Sequence, residues 1–144
     1  MGANENLEVI EEYQRAMRDQ DWERAGSFLA DDAVTRMAGV PRTMGGVTEG
    51  REAILDGNRQ NAGAASLEPK LRFADGDNVC VVGKMTASRF PGNQFLRGAD
   101  SSYTTYQCTL YRIVGGKIAE TTTYVNWLDP YVQTGIVDPS TLTT

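Results

Sequence analysis

The sequence predicts an α+β fold in which a curved, mainly antiparallel sheet wraps around three N-terminal helices as a cone with an internal pocket. Helical patterns occupy the first part of the chain and strand patterns the rest. The clearest strand signal runs from Tyr103 to Asn126, where two runs rich in β-branched and aromatic residues flank Gly115-Gly116, as in a hairpin. No repeat or change of composition divides the 144 residues, so we predict one domain over 1–144.

Three helices are predicted ahead of the main strands. The first covers residues 5–18, and its apolar face consists of Leu7, Ile10, Tyr13 and Met17. The second begins after an N-cap at Asp21, includes Leu29 and ends at residues 31–32. The third covers roughly residues 49–61 and is capped by Thr48.

Strands are predicted over residues 33–38, 66–73 and 79–88, in addition to the hairpin. Pro69 places the second of these at a sheet edge, with Leu67, Leu71 and Phe73 on one face. The third is a central strand whose shared face consists of Val79, Val81, Gly83, Met85 and Ala87. Residues 89–101 form a long loop with Phe90 and Phe95, which fits a lid or the rim of an oligomer interface.

One face of the hairpin carries hydroxyls, an amide and rings but no charge. In the first arm this face consists of Tyr103, Thr105, Gln107, Thr109 and Tyr111, and in the second arm of Ala119, Thr121, Thr123 and Val125. The opposite face carries Tyr106, Cys108 and Leu110, with Val82 beside them on the central strand. This outer face is apolar enough to need cover, which indicates a homodimer.

Composition excludes several classes of function. The net charge is −5 and no cluster of Lys and Arg is present, so neither nucleic acid nor a membrane surface is an expected partner. The chain has no histidine, which excludes His-based catalytic triads and zinc sites, and we expect neither a metal nor a cofactor. Cys80 and Cys108 both fall in predicted strands, and without a signal peptide they indicate a reduced, cytoplasmic protein.

Three stretches resemble the nuclear transport factor two-like superfamily: residues 21–33 (DWERAGSFLADDA), 49–55 (EGREAIL) and 116–126 (GKIAETTTYVN). Ketosteroid isomerases, limonene epoxide hydrolases and SnoaL-like polyketide cyclases share this cone-shaped fold. The resemblance covers nearly the whole chain, so it implies the fold and a dimer. It implies less about function, because the fold hosts enzymes and non-enzymes.

The family's charged catalytic positions fall on uncharged residues here: Met37, Thr109, Gly83, Met85 and Thr123. By resemblance, the first two match the aspartates of steroid isomerases, and the next two match an arginine and an aspartate of epoxide hydrolases. The last matches an aspartate that epoxide hydrolases share with SnoaL-like cyclases. The helix-one tyrosine of the isomerases is matched by Tyr13.

The predicted pocket wall is apolar, with hydrogen-bond donors and no evident carboxylate. It consists of Tyr13, Met37, Val81, Gly83, Met85, Tyr103, Thr105, Gln107, Thr109, Thr121, Thr123 and Val125. Gly83 and the methionines are expected to leave room for a ligand. Trp127 closes the pocket or, alternatively, packs under the first helix or across a dimer seam. Such a wall suits a large, mostly hydrophobic, polyketide-like ligand with carbonyls or hydroxyls.

Tyr13, Gln107, Thr109 and Thr123 are the candidate catalytic residues. Tyr13 is placed to donate a hydrogen bond to a carbonyl or enolate oxygen, and the other three to orient the substrate. Each has a structural alternative, since buried tyrosines need a partner and strand threonines pair across a ladder. Asp100 and Asp129 lie near strand ends as possible acids or bases.

These features predict a cofactor-independent cyclase or isomerase of polyketide-type metabolism, which folds its substrate and polarises one carbonyl. A binding or accessory protein without chemistry is the alternative, favoured by the missing acid–base residues. Epoxide hydrolysis is a third option, and it requires a water-activating carboxylate in the pocket.

Overall fold

The computed structural model describes residues 2–87 and 102–142, which form four helices and six strands. The helices are α1 (Ala3–Arg18), α2 (Trp22–Ser27), α3 (Arg51–Gln60) and α4 (Leu128–Gln133). The strands are β1 (Leu29–Met37), β2 (Val47–Glu49), β3 (Ala65–Asp75), β4 (Asn78–Ala87), β5 (Tyr103–Val114) and β6 (Lys117–Val125). The predicted loop with Phe90, Phe95 and Asp100 lies outside the described residues.

All six strands belong to one open sheet in the order β2-β1-β6-β5-β4-β3. β1 runs parallel to β6, and every other neighbouring pair is antiparallel. The sheet curls without closing, and α1 lies against β3 and β4. The predicted α+β fold with a curved, mainly antiparallel sheet is therefore confirmed.

The core forms where α1 meets the concave side of the sheet. Ile10 of α1 is fully buried among strand residues that include Val79, Ile113 and Ile118. Each such side chain contributes about 1.5–3 kcal/mol through burial. Asn6 fixes the start of α1, because its Nδ2 donates to the carbonyl oxygen of Gly76, 3.0 Å away in the β3–β4 turn.

The first strand begins earlier than predicted. Asp21 does cap α2, since its carboxylate accepts from the Arg24 N–H at 3.1 Å, but α2 ends at Ser27. Leu29 belongs to β1, not to the helix, and pairs with Ile118 of β6. Both side chains are buried, so a contact between distant parts of the chain overrides the local helical pattern.

The third helix also begins later than predicted. Thr48 is not its N-cap, because it lies in β2 and pairs with Thr35 of β1. Gly50 occupies the cap with φ 93°, a conformation that glycine adopts without strain. The Gly50 N–H donates to the Ala33 carbonyl at 2.8 Å, which ties the helix start to β1.

β3 lies at the edge of the sheet, as Pro69 predicted. The predicted common face of Leu67, Leu71 and Phe73 is wrong, because the pairing register shifts between Pro69 and Leu71. Leu67 faces the concave side opposite Met85, whereas Leu71 and Phe73 are exposed on the outer side. The same bulge turns Arg72 towards α1.

The hairpin of β5 and β6 matches the prediction, and α4 continues its edge. β6 ends at Val125, so the backbone of Thr104 in β5 has no strand partner on that side. The Gln133 amide of α4 replaces it, with Oε1 accepting from Thr104 N at 2.9 Å and Nε2 donating to Thr104 O at 2.7 Å.

Within the described residues, no helix is long and apolar enough to cross a membrane.

Candidate functional site

The central part of the candidate site is one row of residues that crosses five strands on the concave face. Cross-strand pairing aligns Met37 with Thr123, Thr123 with Thr109, Thr109 with Val81, and Val81 with Arg72. Successive members lie on neighbouring strands, so the row runs from an apolar end at β1 to a cationic end at β3. Four of the five residues in this row were predicted to line the pocket wall, and Arg72 was not.

Thr109 and Thr123 face each other at the middle of this row. Their Oγ1 atoms are 3.5 Å apart, at the limit of a hydrogen bond. Thr109 is 3% exposed, whereas Thr123 is only half-buried. This contact is consistent with a purely structural role, in which two threonines pair across neighbouring strands. Thr123 nevertheless keeps an exposed surface that a ligand can reach.

The next row towards the end of the sheet contains Val125, Gln107 and Gly83. The room expected above Gly83 is occupied by Leu67, because a Cβ built at Gly83 would lie 2.5 Å from Leu67 Cδ1. Val125 and Gln107 are half-buried. The accessible surface in this row therefore lies over β5 and β6, not over β4.

Thr105, Met85 and Tyr103 follow at the same end, where α4 packs on the sheet. Tyr131 of α4 packs against the buried pair Ala87 and Tyr103, with Met85 at its edge. Burial raises the pKa of Tyr103 to about 12, so its hydroxyl stays protonated at neutral pH. This end of the wall is covered by α4.

Trp127 precedes α4, and its ring lies beside Tyr131, with ring centroids 6.3 Å apart. It is partly buried, where β6 leads into α4.

Tyr13 lies on the face of α1 that covers the sheet. Its ring meets that of Tyr111 edge-on, with centroids 6.4 Å apart and an interplanar angle of 76°. Burial, and secondarily the neighbouring Tyr111, raise the pKa of Tyr13 well above its usual range. Its hydroxyl is therefore a neutral donor, and it makes no hydrogen bond within the described part of the chain.

Thr121 pairs with Tyr111 on one side and with Thr35 of β1 on the other. Thr121 and Thr35 are half-buried, as is Met37. The concave face is thus packed solid near β4 and more open near β1 and β6. The open half of the predicted wall consists of Met37, Gln107, Thr121, Thr123 and Val125.

No carboxylate of residues 2–87 and 102–142 faces this surface. Asp129 is exposed on α4, and its Oδ1 accepts from Gln133 Nε2 at 2.8 Å. Glu12 and Glu120 are the partly buried acids in this part of the chain, and both pair with arginines. Asp100 lies outside the described residues. The same residues hold no group of three or more acidic or cysteine side chains suited to a metal.

Arg72 and Gln14 are polar residues of the concave side that sequence reasoning missed. Arg72 Nη2 donates to Gln14 Oε1 at 3.0 Å, beneath α1. Pro69 predicts an edge strand, but no residue pattern predicts the bulge after it, which turns Arg72 inward.

Comparison with proteins of known structure supports the same fold. A proposed polyketide cyclase from Xanthomonas campestris pv. campestris is 17% identical, with a TM-score of 0.74, 92% of this chain covered and 98% of that one. An LEH-like epoxide hydrolase from M. tuberculosis is 18% identical, with a TM-score of 0.71 and coverages of 92% and 86%. A proposed ketosteroid isomerase from Kribbella flavida is 17% identical, with a TM-score of 0.67 and coverages of 85% and 78%.

At these identities the structural likeness shows the fold alone. No protein of curated function matches the chain by sequence. The family model of the SnoaL-like domain, by contrast, matches residues 10–121, which include the second half of α1, all of α2 and α3, and the sheet up to the middle of β6. The chain therefore belongs to the SnoaL-like family within the nuclear transport factor two-like superfamily.

Proposed function

We propose that this protein is a cofactor-independent cyclase or isomerase that binds a largely apolar, polyketide-like molecule on the concave face of its sheet. The observation that carries the proposal is the chemistry of that face: hydroxyls, an amide and apolar side chains line it, and the described carboxylates all lie elsewhere. Such a surface binds a molecule with carbonyls or hydroxyls and holds it in one shape.

The proposed mechanism is orientation combined with hydrogen bonding to a carbonyl. Fixing two reacting groups of one substrate next to each other lowers a barrier by about 7–11 kcal/mol in favourable cases. One preorganised donor aimed at a developing oxyanion adds about 3–4 kcal/mol. Tyr13, Gln107, Thr109 and Thr123 are the proposed donors, and Met37 and Trp127 shape the substrate. Met85 packs with Tyr131 of α4 against Ala87 and Tyr103, so it takes no part.

This mechanism fits ring closures that need no strong protein base. An aldol closure that begins with proton abstraction would require a carboxylate or histidine at the reacting carbon. The chain has no histidine, and its described acids lie outside the concave face. Conjugate addition or a pericyclic closure needs only the correct fold of the substrate and a polarised carbonyl.

A matched pair of variants tests the proposal. Purified protein is incubated with a synthetic linear polyketone ester, and cyclised product is measured by liquid chromatography and mass spectrometry. We expect Thr123→Val to lower the rate about tenfold. Thr122→Val should leave it unchanged, because Thr122 pairs with Leu110 on the outer face.

The second candidate is a binding or accessory protein without chemistry, and the absent acid–base residues favour it. Binding of the polyketone ester without any faster conversion would establish this alternative and reject the enzyme. Epoxide hydrolysis has less support, because none of the described carboxylates is placed to activate water on the concave face.

We also propose that the protein is a homodimer that pairs through the outer face of its sheet. Tyr106, Tyr124, Leu71 and Phe73 are each more than half exposed there, and Leu110 is 38% exposed. A face this apolar is rarely left open to water. Light scattering after size-exclusion chromatography should give twice the chain mass, and Tyr106→Glu should give the monomer.

We also propose that the protein is located in the cytoplasm. Cys80 and Cys108 are both free thiols, although their Sγ atoms are 3.3 Å apart. Free thiols at this spacing are expected in a reducing compartment.

A further inference from the structure

Leu67 occupies the space that the missing side chain of Gly83 leaves on the concave face. Gly83 is buried in β4, and a Cβ built on it would lie 2.5 Å from Leu67 Cδ1 and 3.1 Å from Leu67 Cγ. The backbone carbonyl oxygen of Glu68 is the third atom near this position, at 3.2 Å. Leu67 therefore fills, from the neighbouring strand, the room that a larger residue at position 83 would fill.

The Leu67 side chain reaches this space from the next pair along the ladder. Leu67 itself pairs with Met85, whereas the residue that pairs with Gly83 is Pro69. A glycine inside a strand leaves room for such a close approach. Beyond Pro69 the register shifts, and Leu71 lies exposed on the outer side. Leu67 is therefore the branched aliphatic side chain that β3 contributes to this part of the concave face.

The space that Leu67 fills adjoins the open half of the concave face. Cross-strand pairing aligns Gly83 with Gln107, and Gln107 with Val125. Gln107 and Val125 are half-buried, so a molecule that lies over them meets Leu67 at the next strand, about 4.8 Å further on. This route follows a single row, so it does not pass over the buried Thr109 in the row beside it.

We propose that Leu67 sets the maximum length of the substrate on this side of the pocket, an inference that rests on the proposed binding of a polyketide-like molecule. A half-buried leucine contacts an alkyl chain favourably, but the chain cannot continue past it. Further methylene groups would overlap the Leu67 side chain or turn back into solvent. The substrate class that this wall admits is a ketone whose apolar portion ends over β5.

A series of naphthyl ketones that differ only in the length of the acyl chain tests this inference. The series runs from acetonaphthone to the heptanoyl ketone, and isothermal titration calorimetry gives the dissociation constant of each. With the intact protein, affinity should rise about fourfold per buried methylene and then stop rising at one chain length. With Leu67→Ala the rise should continue for about three more carbons, the number that the substitution removes, so the longest ketone should bind at least about tenfold more tightly than to the intact protein.

Leu71→Ala is the matched control. It removes the same atoms from the same strand, but Leu71 is 55% exposed on the outer side, so the chain-length limit should stay where it is. Acetonaphthone should bind the intact protein and both variants equally well, because its short acyl chain ends before Leu67. If Leu67→Ala fails to fold by circular dichroism, Leu67→Val replaces it, and the limit should move by about one carbon.

Three results would overturn the inference. They are an affinity that grows without a limit in the intact protein, a limit that Leu67→Ala leaves in place, and a limit that Leu71→Ala moves as far as Leu67→Ala does. Each of these results leaves the proposed function standing, because acetonaphthone still binds. If no ketone of the series binds the intact protein, the proposed function is rejected and the inference with it.

Discussion

Replacing Tyr13 by phenylalanine separates a functional hydroxyl from a structural one. The variant keeps the ring, so the edge-on contact with Tyr111 at 6.4 Å is retained. The hydroxyl makes no hydrogen bond within the described residues, and burial raises its pKa, so the fold gains little from it. We therefore expect the free energy of unfolding to stay constant or to rise by up to about 1 kcal/mol. For a chain of this length the melting temperature would shift by no more than about 4 °C.

The turnover rate of Tyr13→Phe, in contrast to its stability, should fall. If the hydroxyl donates to a substrate carbonyl, its removal lowers the rate of ring closure at least about tenfold. Urea denaturation followed by tryptophan fluorescence gives the stability, and product formation from the polyketone ester gives the rate. Tyr106→Phe is the control, because Tyr106 is 61% exposed on the outer face.

Two outcomes would refute this reasoning. A loss of more than about 2 kcal/mol in stability would mean that the Tyr13 hydroxyl holds the fold together. An unchanged rate in a stable variant would remove Tyr13 from the mechanism.

Four further predictions concern the scaffold. A Cβ at Gly46 would lie 1.9 Å from the Val40 carbonyl oxygen, so Gly46→Ala should lose at least about 2 kcal/mol in urea denaturation. Gly57 lies in α3 with open space around it, so Gly57→Ala should gain about 0.5–1 kcal/mol; the opposite ranking would contradict the packing described here. Burial raises the pKa of Tyr103 from 10.0 to about 12, so the neutral form stabilises the fold below pH 10, and stability falls as pH rises from 10 towards 12. Tyr103→Phe should flatten that fall, and an unchanged slope would rule Tyr103 out as its cause. Burial also raises the pKa of the Cys80 thiol from 9.0 to about 11. Ellman's reagent, which reacts with the thiolate, should therefore label Cys80 slowly in the folded protein at neutral pH and rapidly in urea. Fast labelling of the folded protein would contradict this, because it would show an accessible thiolate.

The concave face of the hairpin was predictable because it depends on local rules. Side chains alternate along a strand, and Gly115-Gly116 fixes where the two arms turn. The faces of each arm follow from this alternation, but Thr109 pairs with Thr123 because the register shifts by one residue between Arg112 and Ile113. α1 was predictable for the same reason, since its apolar spacing is local.

The features that the sequence did not predict depend on contacts between distant residues. Leu29 joins β1 because Ile118, far along the chain, pairs with it. Thr48 joins β2 because Thr35 offers a ladder partner. At the site, the bulge after Pro69 turns Arg72 inward, and Leu67 fills the space over Gly83. Local patterns do not encode these arrangements, because packing between elements decides them.

A structure of the protein bound to acetonaphthone tests the central claim most directly. We predict that the ketone lies on the open half of the concave face, over β1 and β6, and that its carbonyl oxygen accepts a hydrogen bond from Thr123, Gln107 or Tyr13. The competing location is the open groove of about 300 Å³ between α2 and α3, whose lining includes Trp22 and Arg51. A ketone bound in that groove or on the outer face, with the concave face empty, would contradict the account.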